Sequence, residues 1–106
     1  MTEQIMEFAA YKLATGKSEA ELLAASDLLE RDFLAPQKGF LRRDLIRKDD
    51  GSYVDVIVWQ SRADFAAAFE LAKTSTAAAH YFAHMHVDPD APHGGVEHAA
   101  MLRPIS

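Results

Sequence analysis

All five histidines of the chain fall within residues 80–98, HYFAHMHVDPDAPHGGVEH, together with two aspartates. Imidazole and carboxylate in one short stretch can bind a metal or move a proton. His80 and His84 are four apart, so on a helix they stand one turn apart and could chelate an ion together. A complete site needs a third ligand. His86, Asp88, Asp90 or His93 could supply one only if the loop folds back. No Glu sits between the two histidines, so the zinc-protease motif is absent. On a helical wheel Ala78, Phe82 and Met85 share one face, with His80 and His84 on the opposite side. The pair is therefore expected to be a solvated helix face, and no metal or other cofactor is expected.

His98 belongs to a different setting. It alternates with Val96, Ala100 and Leu102, which puts it on one face of a strand. An imidazole there is either a core histidine with one hydrogen-bond partner or a polar group lining an apolar pocket. Tyr11, Tyr53, Asp55 and Trp59 also fall on strand-like segments. Tyr53, Asp55, Ile57 and Trp59 share one face, and Val54, Val56 and Val58 the other. The valine face is expected to meet the helices, and the half-polar face to meet a partner sheet.

Composition removes several classes of function. There is no cysteine, which excludes disulfides, thiol catalysis and thiolate metal sites. The net charge of −5 disfavours nucleic acid, whose phosphates attract clustered Lys and Arg. The nearest basic cluster, Arg42, Arg43, Arg47 and Lys48, is interrupted by Asp44 and reads as a solvated strand. No apolar run approaches the ~20 residues of a membrane span, and MTEQIMEF lacks the layout of a signal peptide. A cytoplasmic protein without membrane contact is expected. No serine nucleophile elbow, phosphate loop or dinucleotide fingerprint is present, and His93-Gly94-Gly95 reads as a turn.

The positioning elements follow in order. Ile5–Ala14 reads as a strand. Ser18 with Glu21 three residues later is a capping box, and Leu22, Ala25, Leu29 and Phe33 recur at helical spacing up to Pro36. Residues 39–48 and 53–60 form a hairpin about Asp50-Gly51. Ser61 opens a second helix with Phe65, Ala68, Phe69 and Ala72 on one face. That helix breaks near Thr74-Ser75-Thr76 and resumes from Ala77 to about Met85. Residues 87–95 read as a loop, and Val96–Ile105 as a closing strand. The order β-α-β-β-α-β predicts one α+β domain over residues 1–106, a ferredoxin-like fold with a four-stranded antiparallel sheet.

The stretch PQKGFLRRDLIRKDDGSYVDVIVWQSRADFAAAF resembles the centre of the antibiotic-biosynthesis monooxygenase-like family. The carrying residues are Gly39-Phe40-Leu41, Asp50-Gly51 and Trp59 followed by Ser61 and Phe65. The resemblance implies a homodimer through sheet faces, forming an α+β barrel around a small apolar or aromatic molecule. It implies a cofactor-independent monooxygenase acting on an aromatic substrate, or a non-catalytic ligand-binding or stress-related dimer. Such oxygenases need a pocket that deprotonates a phenolic substrate, which makes His98, His80 and Trp59 the candidate catalytic residues. The chain departs from the family where many members carry a histidine early in the second helix, since Ala68 stands there. It contains no asparagine and one tryptophan at a strand end, unlike the haem-degrading members. A pocket is expected between the helices and Ala10, Val54, Val56, Val58 and Ala100. Alanines 68, 72, 78 and 79 would leave room unless Phe8, Phe65, Phe69 and Phe82 fill it.

Overall fold

The computed structural model describes residues 3–91 and 95–102. Five strands and three helices follow one another as β1 (Gln4–Leu13), α1 (Glu19–Leu29), β2 (Phe40–Arg47), β3 (Tyr53–Trp59), α2 (Arg62–Ala72), α3 (Thr76–Phe82), β4 (Met85–His86) and β5 (Val96–Met101). The strands form one antiparallel sheet in the order β2-β3-β1-β5. The two-residue β4 pairs with the end of β1 at Lys12 and Leu13. This is the expected ferredoxin-like α+β fold with one short strand added. His93, one of the conceivable third ligands, and the end of the closing strand from Arg103 lie outside the described residues. No helix among the described residues is long and apolar enough to cross a membrane.

Local chemistry sets the element ends as the sequence indicates. The Ser18 hydroxyl accepts from Glu21 N at 3.2 Å while Glu21 Oε1 accepts from Ser18 N at 3.0 Å, closing the capping box of α1. Ser61 caps α2 and Ser75 caps α3, each hydroxyl accepting a backbone N–H at 3.1 Å. Between β2 and β3, Asp50 Oδ1 accepts from Ser52 N, and Gly51 takes φ +86°, a conformation that costs a glycine nothing. Beyond Leu29 the chain widens into a π-helical extension, Glu30–Leu34, closed by Ala35 N donating to Glu30 O at 2.8 Å. Its wide turn buries both Phe33 and Leu34.

On β1 and β3 the sheet faces are the reverse of those expected. Ile5, Glu7, Ala9 and Tyr11 of β1 lie beside Trp59, Ile57, Asp55 and Tyr53 of β3, and these turn toward the helices. The valines of β3 lie on the outer face with Met6, Phe8 and Ala10. Strand parity is all-or-none, so the side chains of β1 and β3 exchange faces together, whereas on β5 Ala100 lies beside the inner Ile5 and faces the helices as expected. Both faces are apolar enough to serve as a core.

One irregularity decides what the inner face contains. Phe40 pairs with Trp59 but Arg42 pairs with Val58, which leaves Leu41 as a bulge. The bulge sends Arg43, instead of Arg42, inward. The Arg43 side chain is 3% exposed, so it is not part of a solvated basic strand. Its Nε and Nη2 donate to the two carboxylate oxygens of Asp55, both at 2.9 Å, and Nη1 donates to Ser26 O at 3.2 Å. The Tyr81 hydroxyl donates to Asp55 Oδ2 at 2.9 Å and also hydrogen-bonds the Tyr11 hydroxyl. The guanidinium lies 5.1 Å from the centre of the Tyr81 ring. This network joins α1, β1, β2, β3 and α3. Tyr81→Phe should lower unfolding stability by about 1–3 kcal/mol, since it removes one partner from two buried groups. Arg43→Met should cost more, about 3–5 kcal/mol, because it leaves Asp55 buried without its counter-ion. Chemical denaturation of the two variants checks the order; equal, near-zero losses would count against the network.

Candidate active site

Between the helices and the inner face of the sheet lies a cavity of about 410 Å³. The sheet contributes Glu7 and Ala9 from β1, Asp55, Ile57 and Trp59 from β3, and Val96 from β5. Ala68, Phe69, Ala72 and Ala78 line it from α2 and α3, whereas Ala79, expected with them, is exposed on the other side of α3. Phe33 and Leu34 enter from the π-helical extension. Phe82, 49% exposed, and Lys73 also line it, which places the mouth beside them.

Two carboxylates interrupt this apolar wall. Asp55 is taken up by Arg43 and Tyr81. Glu7 is not. Its Oε1 accepts the Trp59 indole N–H at 2.8 Å, and its Oε2 makes no hydrogen bond among the described residues. No buried side-chain oxygen or nitrogen among them lacks a partner, so Oε2 is accessible, and Glu7 is one of the residues that line the cavity. Burial pushes the Glu7 carboxyl above its ordinary range; the indole hydrogen bond opposes this, the Asp55 charge adds to it and Arg43 opposes it. The tyrosines behind Asp55 stay protonated at neutral pH. Burial pushes Tyr11 up to about 12, and pushes Tyr81 higher still, with the Asp55 charge adding to its rise. Arg43 stays charged: burial works against its proton, and Asp55 more than offsets that.

Of the candidate catalytic residues, the cavity brings in Trp59 and leaves out His98 and His80. His98 stands on the inner face directly across from Glu7, but it is exposed and its ring lies 4.9 Å from that of Phe65. His80 is exposed on α3. The His80 and His84 rings do meet, with centroids 5.1 Å apart. His84 is not part of a solvated face, however: it is 4% exposed and its Nδ1–H donates to His80 O at 2.9 Å. Among the described residues no three metal-ligating side chains cluster. Glu7 is the residue that sequence reasoning missed. Its signal was present, a lone acid alternating with Ile5, Ala9 and Tyr11 on one strand face.

The path of the backbone matches known structures. The likeness is to the antibiotic biosynthesis monooxygenases. SnoaB of Streptomyces nogalater, a cofactor-independent oxygenase, is 20% identical, with 99% of this chain and 97% of that one covered at TM-score 0.70. A proposed antibiotic biosynthesis monooxygenase of Bordetella bronchiseptica is 18% identical, with 96% and 100% covered at TM-score 0.73. A haem-degrading protein of Mycobacterium tuberculosis is 16% identical, with 100% and 99% covered at TM-score 0.67. These identities establish a shared fold. No protein-family model matches the chain, and no curated protein matches its sequence.

The Glu7 environment has a consequence for stability. A carboxyl whose pKa is higher folded than unfolded binds its proton more tightly in the folded state. Folding is then penalised as pH rises through the unfolded value and beyond. Glu7→Gln removes that penalty. The variant should gain stability relative to wild type as pH is raised from about 4 to 7, measured by urea unfolding at each pH. A difference that is flat or of opposite slope would show that Glu7 titrates as an ordinary surface acid.

Proposed function

We propose that the protein is a cofactor-independent monooxygenase that takes a planar aromatic substrate into the cavity and works as a homodimer. The observation that carries this reading is the cavity itself. Its volume of about 410 Å³ suits a molecule of two or three fused rings, and its walls are mostly apolar, with Asp55 taken up by Arg43 and Tyr81 and Glu7 beside Trp59. The chemistry asks little of the protein. A substrate with an acidic O–H or C–H gives up a proton, and the resulting electron-rich anion reacts with dioxygen. For a methylene substrate, one dioxygen is consumed, one of its oxygen atoms becomes the new carbonyl oxygen, and the other leaves as water with the two methylene hydrogens. The substrate supplies the electrons. Likeness in fold to a cofactor-independent oxygenase supports this reading.

A second reading is a ligand-holding protein without turnover. In its favour, Arg43, Tyr11 and Tyr81 are committed to Asp55 and to one another, leaving few donors to stabilise a developing anion.

The dimer follows from the sheet's outer face. The helices cover one face, and Met6, Phe8, Ala10, Val54 and Val56 remain on the other with no layer over them. A contiguous apolar patch of that kind marks an interface. In this reading the sheets pair through the face opposite to the one expected.

Two measurements test these readings. Dissolved-oxygen uptake with a hydroxyanthrone should proceed at one dioxygen per substrate with a quinone product. Ala72→Phe, which fills the cavity, should abolish uptake and leave the folded circular-dichroism spectrum intact. Bound substrate without uptake would favour the ligand-holding reading. Light scattering at micromolar concentration should give twice the chain mass, and Val56→Asp on the outer face should give a monomer.

A further inference from the structure

Glu7 is a half-buried carboxylate that the fold leaves without a counter-ion hydrogen bond. Asp55 is neutralised by Arg43 and holds α3 to the sheet through Tyr81, whereas Glu7 makes one hydrogen bond, to Trp59. That bond fixes the carboxyl plane. Trp59 is 1% exposed, its ring held against Phe40 with centroids 5.9 Å apart, so the donor cannot swing away. Oε1 is thereby occupied, which leaves Oε2 as the free, accessible oxygen of a carboxylate that lines the cavity. A carboxylate oxygen in that position is an acceptor with no donor supplied by the described residues.

We propose that Glu7 Oε2 is the acceptor subsite of the cavity. It takes the hydroxyl or N–H hydrogen of a ligand that enters neutral, and it accepts that proton as general base when the ligand is ionised. The assignment rests on the reading of the cavity as a ligand site and adds the polarity of its ligand. Two carboxylates and one committed guanidinium disfavour a ligand that arrives as an anion. In the transfer the ligand O–H bond breaks, the Glu7 O–H bond forms, and the ligand keeps the electron pair. Burial supports the role, since it makes the carboxylate a stronger base than an exposed glutamate. The groups facing Glu7 are Asp55 and Trp59 from β3, Arg43 from β2, His98 directly across on β5, Tyr81 from α3 and Lys73 just past α2 at the mouth.

The test uses a matched pair of probes, 4-nitrophenol and 4-nitroanisole, which differ by the hydroxyl hydrogen. Calorimetry on the full chain, at a pH where the phenol is neutral and Glu7 is ionised, should show the phenol binding about ten- to hundredfold more tightly, the usual strength of a hydrogen bond to a charged acceptor. Glu7→Gln should collapse the preference to near unity, because Trp59 holds the amide oxygen and turns the amide nitrogen, a donor, toward the ligand. The wild-type preference should fade on acidification, with a midpoint above the ordinary carboxylate range. At a pH near the phenol's own pKa, bound nitrophenol should show a weaker visible phenolate band in wild type than in Glu7→Gln, because the carboxylate favours the neutral phenol and the amide donor favours the phenolate. Equal binding of the two probes to wild type overturns the role of Glu7 and leaves the pocket standing. A preference that survives Glu7→Gln and is lost in His98→Ala overturns it in favour of the imidazole. Failure of both probes to bind overturns the pocket reading and this inference with it. Oxygen uptake enters none of these outcomes, so failure of the oxygenase reading is distinguishable.

Discussion

The Arg43–Asp55 pair is the constraint around which the inner side of this fold is arranged. Two opposite charges stand on neighbouring strands beneath the helices, and a carboxylate alone there would be untenable. The fork of the guanidinium satisfies both oxygens, and the hydroxyl of Tyr81 takes up a further lone pair. Tyr81 thereby ties α3 to the sheet at a fixed point, and Tyr11 ties the same hydroxyl to β1. Such a pair contributes less to net stability than its hydrogen bonds suggest, because desolvation offsets most of the attraction. Its physical role here is positional. It sets how closely α3 approaches the strands, and the cavity is the space beside that fixed point.

Much of the framework was legible because it is written in local chemistry. Ser18 and Glu21 cap a helix whichever way the chain later packs, and Asp50-Gly51 turns a hairpin by backbone preference alone. The alanines and phenylalanines of α2 and α3 pointed to the cavity's helical wall for the same reason, since helical periodicity singles out one face. Strand parity offered no such help. With apolar residues on both faces of β1 and β3, periodicity shows that there are two faces and does not say which one the helices cover. The bulge at Leu41 compounds this. It is a tertiary event in an ordinary-looking strand, and it alone decides which of two consecutive arginines is buried.

The site was less legible than the fold for a related reason. Histidine draws attention because its charge changes near neutral pH, and the histidine-rich segment drew it away from the cavity. Glutamate in a strand passes for a solvent-facing residue until its face is known to be the inner one. Asp55 and Trp59, expected at a partner interface, lie on the cavity wall, and Glu7 lies there with them. Trp59, expected on the partner-facing side of the sheet, lines the cavity instead.

The size of the cavity argues that it is not a packing defect. At roughly 24 cal/mol per Å³, a sealed void of 410 Å³ would cost about 10 kcal/mol, comparable to the whole stability of an ordinary domain. The phenylalanines that could have closed the space do not: Phe65 packs against Phe69 and His98, and Phe82 stands half-exposed at the mouth. The opposing helix surface supplies Ala68, Ala72 and Ala78, whose single methyl groups stop short of the sheet. A domain of this size can keep such a space only if water or a ligand enters it. An opening on one side allows that, and a carboxylate on the wall gives whatever enters a fixed polar partner. The same alanines that forgo core packing therefore define the volume, and the Trp59–Glu7 pair defines its polarity.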